Sequence, residues 1–129
     1  MATFEYARNK YRSDSVHTMS PGQLIVALYD RVLLDCDRAL TALAASDIYT
    51  AHTTLIHAQD IVYELLASLD LKQWPGGASL AAIYRHVQDA LVEANVNKDP
   101  APVHACREML LPLREAWREA AGLVGQGAS

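Results

Sequence analysis

The sequence is poor in the residues that would make it a disulfide scaffold, a membrane span or a nucleic-acid binder. Cys36 and Cys106 are its two cysteines among 129 residues, and both fall inside apolar-periodic stretches. Small secreted scaffolds use many cysteines and place them in loops, so no disulfide framework is expected and a reducing cytoplasm is. The longest apolar run, Leu24 to Tyr29, falls far short of the roughly 20 residues that cross a bilayer, which argues against membrane insertion. The opening residues Met1 to Glu5 lack the basic-then-apolar pattern of a secretory signal. Positive charge is thin as well. Lys and Arg number 11 against 15 Asp and Glu, for a net charge of -4, and the cations are scattered with no run that could track phosphates; nucleic acid is not an expected partner. A chain this short forms one domain.

Glycine and proline are also scarce, six and five, and they gather in a few places that divide the chain into four long segments without strand-like alternation. Ser20-Pro21-Gly22-Gln23 reads as a helix start. Ser20 can accept from the Gln23 amide, Gln23 can reach back, and Pro21 occupies a first-turn position where its missing N–H costs nothing. This helix is expected to reach about Ala44, with Leu24, Ile25, Leu28, Val32, Cys36, Ala39 and Leu43 in one stripe. Ser46 or Asp47 caps a second, which buries Ala51, Leu55, Ala58, Ile61, Val62, Leu65 and Leu69. Lys72 to Gly77, with Trp74 and Pro75, is the clearest loop. A third helix is expected from about Ser79 to Asn95, burying Leu80, Ile83, Tyr84, Val87, Leu91 and Ala94. Asp99-Pro100 opens the fourth, which carries Val103, Cys106, Leu110, Leu113 and Trp117 and ends at Gly122. Pro112 inside it predicts a kink near Glu108 to Pro112 and no terminus, because the apolar period continues beyond.

Four amphipathic helices, two pairs of them joined by very short connections, imply an all-α fold: an antiparallel up-down four-helix bundle over residues 20–122. Residues 1–19, with Tyr6, Tyr11 and Val16 amid polar neighbours, form an N-terminal arm with room for a short extra helix. Residues 123–129 form a frayed tail.

The catalytic and metal templates fail on spacing or residue type. Gly76-Gly77 follows a helix and lacks a downstream Gly-Lys, so it is no phosphate cradle. Neither cysteine has a Cys or His at ligand spacing, and no histidine has a Glu three residues before it, as di-iron bundles require. No metal, cofactor or enzymatic activity is expected. Arg31 and Asp35 at four-residue spacing, with Asp30, Asp37 and Arg38 around them, read as a solvated helix surface. His52 and His57 lie roughly 140° apart around one helix axis and share no face. His57 alone on a bundle of this size keeps a histidine phosphotransfer reading open, although Asp60 nearby would repel a phosphoryl group.

What the sequence has in surplus is apolar surface. Tyr49, Ile56 and Tyr63 recur every seven residues away from the Ala58/Leu65 side of the second helix, and Val26, Leu33 and Leu40 form a similar row on the first. Two explanations fit. Each bundle helix touches two neighbours, with tyrosine rings lying flat and their hydroxyls wet, or the rows form a groove for a partner helix or extended peptide. A generic helical adaptor satisfies the second as well as any specific function does.

Particular residues narrow this. Tyr11, then Val16-His17-Thr18-Met19-Ser20-Pro21-Gly22-Gln23-Leu24 and Leu28-Tyr29-Asp30, resemble the N-terminal signature of the FliS family of flagellin-specific export chaperones. The similarity continues in order through Leu55-Ile56-His57-Ala58-Gln59, Gly76-Gly77, Leu80, Ile83-Tyr84, Leu91-Val92-Glu93-Ala94-Asn95, Asp99 and Ala116-Trp117. The resemblance implies a cytoplasmic helical bundle that binds the disordered C-terminal segment of flagellin, prevents its premature polymerisation and delivers it to the flagellar type III export gate, and it leaves open a homodimer in the empty state. Client-groove residues are expected among Leu24, Leu28, Ile56, Tyr63, Leu80, Ile83, Tyr84 and Val87, where Leu28, Ile83 and Val87 also suit a plain core. In the family an arm tyrosine lies over part of the binding surface; the matching Tyr11, with Val16, would form an N-terminal lid. His57 stands where the family often has lysine, and Trp74-Pro75 is an unusual second loop.

Overall fold

The computed structural model describes residues 20–69 and 76–122. Four helices follow in order: α1 Pro21–Ala44, α2 Ile48–Ala67, α3 Gly77–Asn97 and α4 Pro100–Ala120. There is no strand among the described residues. The arm with Tyr11 and Val16, the Trp74-Pro75 loop and the C-terminal tail lie outside them.

Local chemistry sets the boundaries. Ser20 Oγ accepts from the Gln23 amide at 3.1 Å while Gln23 Oε1 accepts from the Ser20 amide at 2.8 Å, a reciprocal cap that uses two otherwise orphaned donors. Asp47, not Ser46, caps α2 through the Thr50 amide, and Asp99 caps α4 through the Ala101 amide, just ahead of Pro100. Ser46 instead takes a left-handed φ of 57°. That conformation ends α1 by turning the Ser46 and Asp47 amides back onto the carbonyls of Leu43 and Ala42. Lys98 does the same for α3 at φ 51°, with the Asp99 amide bonded to the Ala94 carbonyl. Neither site has the glycine that such a turn favours. α4 passes through Pro112 and continues to Ala120.

With three residues between α1 and α2 and two between α3 and α4, each pair must run antiparallel. α1 packs on α2 and α4, and α3 completes the square against α2 and α4. The core runs through Leu28, Tyr29, Val32, Cys36 and Ala39 of α1, then Leu55, Ala58, Ile61, Val62 and Leu65 of α2. It continues in Tyr84, Val87, Leu91 and Ala94 of α3 and in Val103, Cys106 and Leu110 of α4. Gly22 marks a close approach between the start of α1 and the end of α4, since a Cβ there would lie 3.1 Å from Ala121 Cβ.

One open choice about α1 is decided and one expectation is corrected. Val26 and Leu33 are buried and Leu40 is partly buried, so this row is consumed by the bundle. α1 presses on both α2 and α4, and two neighbours occupy a wider arc than one stripe. Asp35, expected on a solvated surface, is 2% exposed. It directly precedes core residue Cys36, and it is stabilised there by His57 and Arg31.

Candidate functional site

The eight groove candidates separate into three groups. Leu28, Tyr84 and Val87 are fully enclosed in the core. Leu24, Leu80 and Ile83 are partly buried and pack on the core edge. They lie at the end of the bundle where α1 and α3 begin. Ile56 and Tyr63 are on the outer face of α2, at 39% and 50% exposure, and Tyr49 extends the row at 78%. The seven-residue row on α2 therefore stands free where its counterpart on α1 does not.

This row belongs to a wider pattern that the sequence reading did not assemble. Tyr49, His52, Ile56, Gln59 and Tyr63 follow spacings of three, four, three and four, the seam pattern of a helix prepared to meet another. α3 supplies the adjoining edge. Gln88 Nε2 donates to the Gln59 carbonyl at 2.9 Å, and Asn95 Nδ2 donates to His52 Nδ1 at 3.0 Å. Val92 lies between Gln88 and Asn95 on the same helical face of α3. Val92 and the neighbouring Val96 are exposed. Their signal was available as apolar residues outside the stripe of α3, but the register that sets them beside α2 depends on the side-chain bonds across the seam.

Several titratable groups have structural partners. Tyr29 Oη and Tyr84 Oη are 2.6 Å apart inside the core, and their rings are tilted at 55°. Burial raises both phenols above their ordinary value of 10.0. Burial likewise pushes the Cys36 and Cys106 thiols up to about 12, so neither is a thiolate near neutral pH and neither serves as a ready nucleophile. His57 Nδ1 lies 2.5 Å from Asp35 Oδ2, with Arg31 Nε 3.5 Å from Oδ1. His57 is thus tied to a buried carboxylate of α1. Across the α1–α4 seam, Arg114 pairs with Asp30, whose carboxylate raises the guanidinium further, and Arg107 pairs with Asp37.

Among the described residues, no three or more His, Cys, Asp or Glu side chains are grouped to hold a metal ion, and no helix is long and apolar enough to cross a membrane. Surface hollows at the α1–α2 turn, lined by Asp37, Arg38 and Asp47, and between α3 and α4, lined by His86, Asp89 and Glu93, are polar-rimmed. Both lie on other seams than the exposed apolar row. Among the described residues the exposed apolar row of α2 is separate from both hollows.

Comparison with known proteins agrees over nearly the whole chain. The sequence model of the family described as "Flagellar protein FliS" matches residues 4–123. The chain is similar to the Flagellar secretion chaperone FliS of Bacillus subtilis (strain 168), with 31% identity over 110 residues, covering 85% of this chain and 82% of that protein. It is also similar to the Flagellar secretion chaperone FliS of Campylobacter jejuni subsp. jejuni serotype O:6 (strain 81116 / NCTC 11828). Identity there is 29% over 114 residues, covering 88% of this chain and 89% of its relative. A match of this extent, on a four-helix scaffold whose caps and core follow the expected residues, makes the chain a member of the FliS family of flagellar proteins.

Proposed function

We propose that the chain is a cytoplasmic export chaperone, without enzymatic activity, that binds the disordered C-terminal segment of flagellin. It keeps that segment from polymerising early and delivers it to the export gate of the flagellar type III apparatus. The relatives' names, which describe flagellar secretion chaperones, support the general role. The observation that carries the specific reading is the exposed row Tyr49, Ile56 and Tyr63 of α2, with Val92 and Val96 of α3 also exposed.

Flagellin's terminal segments assemble by burying apolar faces against one another, so a chaperone must cover such faces before export. A helix seam without its partner helix does this by accepting apolar side chains at three- and four-residue intervals. Leu24, Leu80 and Ile83, partly buried at one end of the bundle, provide a second patch along the client's path. Leu28, Tyr84 and Val87 act beneath, as the scaffold that fixes the surface. Tyr11 and Val16 serve as a lid that covers apolar surface in the free protein and yields it to the client.

Titration calorimetry of the full chain with a flagellin C-terminal peptide tests the reading. A one-to-one complex with a gain of helical circular dichroism is the expected result; no binding heat and no added helix refutes it. Removing residues 1–14 is expected to change client affinity or free-state stability, and the lid role fails if both stay constant.

A further inference from the structure

His52 stands in the exposed stripe of α2, three residues after Tyr49 and four before Ile56, and is itself exposed. Its Nδ1 faces the carboxamide of Asn95, 3.0 Å from Nδ2 and 3.3 Å from Oδ1. Asn95 is buried, and the two ends of its amide are not interchangeable. Lys98 Nζ donates to Oδ1 at 2.7 Å and to the Asn95 backbone carbonyl at 2.5 Å. An ammonium only donates, so the amide oxygen points to Lys98 and the NH2 group to the histidine. His52 Nδ1 is then the acceptor, and the ring carries its proton on Nε2.

A second ring proton is incompatible with this arrangement. On Nδ1 it faces the NH2 of Asn95, donor against donor. Turned toward Oδ1, it brings an imidazolium onto an oxygen that already accepts from an ammonium. Reversing the amide moves the same conflict to Lys98. The other charged groups nearby are engaged elsewhere. From α1, Asp35 meets His57, while Asp30 and Asp37 pair with α4. Arg38 lines the hollow at the α1–α2 turn with Asp47, which caps α2 through the Thr50 amide. From α3 and its turn, Glu93 lines the hollow toward α4, and Asp99 caps that helix. On α2 itself the titratable neighbours are Tyr49 and, five residues on, His57.

We propose, building on the client-binding reading above, that His52 makes client binding depend on protons. The neutral ring, bonded to Asn95, completes an uncharged stripe on which apolar side chains of the client rest. Protonation detaches the ring from Asn95 and leaves a cation between Tyr49 and Ile56. Water solvates that cation in the free chain, whereas a bound apolar surface does not. Client and proton therefore compete for the same face, and by linkage a bound client opposes protonation of His52 to the same extent. Acidification releases the client. The bundle persists, because its core does not include His52.

Calorimetry of the full chain with a flagellin C-terminal peptide at about pH 7.5 and about pH 5.5, on either side of the ordinary histidine titration, reads the effect. Affinity is expected to fall about tenfold at the lower pH on the unmodified chain. The fall is expected to be less than about threefold on His52→Gln, whose side chain stays neutral and keeps an acceptor oxygen. The other histidines and every titratable group of the peptide are common to both proteins, so the difference belongs to position 52. An equal fall in both overturns the proposal, as does constant affinity on the unmodified chain. If His52→Gln does not melt cooperatively, proton–nitrogen NMR of the His52 ring in the unmodified chain decides. A bare Nδ1 at about pH 7.5 is expected, with a titration that moves lower by about one pH unit when peptide is bound. A proton on Nδ1, or a titration that peptide leaves unchanged, overturns the proposal. If no peptide binds at either pH, the client-binding reading itself has failed and takes this inference with it, an outcome distinct from binding that ignores pH.

Discussion

Tyr29 and Tyr84 meet hydroxyl to hydroxyl at 2.6 Å across the core, joining α1 to α3, two helices on opposite corners of the square. Each phenol is the other's hydroxyl partner in a buried place, and the Trp117 side chain hydrogen-bonds there too. Replacing either by Phe takes that partner from the remaining hydroxyl, which keeps the Trp117 side chain, and is expected to cost about 0.5–1.5 kcal/mol. The double replacement is expected to cost less than the sum of the two single ones. Urea unfolding of the four proteins in the cycle measures the difference.

The same burial gives the protein an alkaline limit. Unfolded thiols ionise near their ordinary value of 9.0, whereas folded Cys36 and Cys106 hold their protons up to about 12. Tyr29 and Tyr84 are raised above 10.0 in the same direction. A group that binds its proton more tightly when folded contributes fully below its unfolded pKa and loses that contribution as pH rises toward the folded value. Unfolding midpoints measured from about pH 7 to about pH 11 should therefore be level at first and fall above pH 9, with a shallower fall in Cys106→Ala.

Asp35 and His57 illustrate how burial changes the weight of an ion pair. Asp35 is 2% exposed and His57 is 30% exposed, whereas Asp37, the partner of Arg107, is 55% exposed. His57→Ala deprives a buried carboxylate of its closest partner and is expected to destabilise by about 1–3 kcal/mol. Adding Asp35→Asn should recover part of that loss. Asp37→Ala at the wetter pair is expected to stay within about 1 kcal/mol of the parent. Chemical denaturation at neutral pH separates the two cases.

Ile56→Glu and Tyr63→Ser alter residues that the bundle itself leaves exposed. Both variants should melt within a few degrees of the parent while client affinity falls about tenfold or more. Val87→Ala, in contrast, opens the core and should lower the melting temperature. Parallel melting and calorimetry on the three variants distinguish a contact surface from its support.

Pro112 is exposed within α4 and offers no N–H to the carbonyl of Glu108. Pro112→Ala restores that donor and is expected to stabilise by up to about 3 kcal/mol. A rise in the urea midpoint is the measurement; an unchanged midpoint would mean that the helix has already absorbed the cost.

The parts of this fold that could be read from sequence are those settled within a turn of chain. Ser20 with Gln23, Asp47 with Thr50 and Asp99 with Pro100 need only local geometry, and three of the four helices start there; α3, which has no side-chain cap, begins at Gly77, ahead of the expected Ser79. Placement that depends on a neighbouring helix was harder to read. Asp35 carries charge and has an arginine four residues before it, a pattern shared by wet surfaces, and its burial follows from His57 on another helix. Val26 and Leu33 form a row as regular as Ile56 and Tyr63, yet one row is enclosed and the other free. Periodicity reports which residues share a face; it does not report how many neighbours that face will meet. The bond from Asn95 to His52 had no sequence signal at all, since it exists only once α3 lies against α2.

At the corner between α3 and α4, one carboxamide grips two other elements. Asn95 bonds to His52 of α2 and to Lys98 of the turn, and the Lys98 ammonium also holds the Asn95 carbonyl. The hinge joining the last two rods cannot loosen by itself, because opening it releases a fastening on the second rod too. Hydrogen exchange at these three places should accordingly rise and fall in concert, as one cooperative unit.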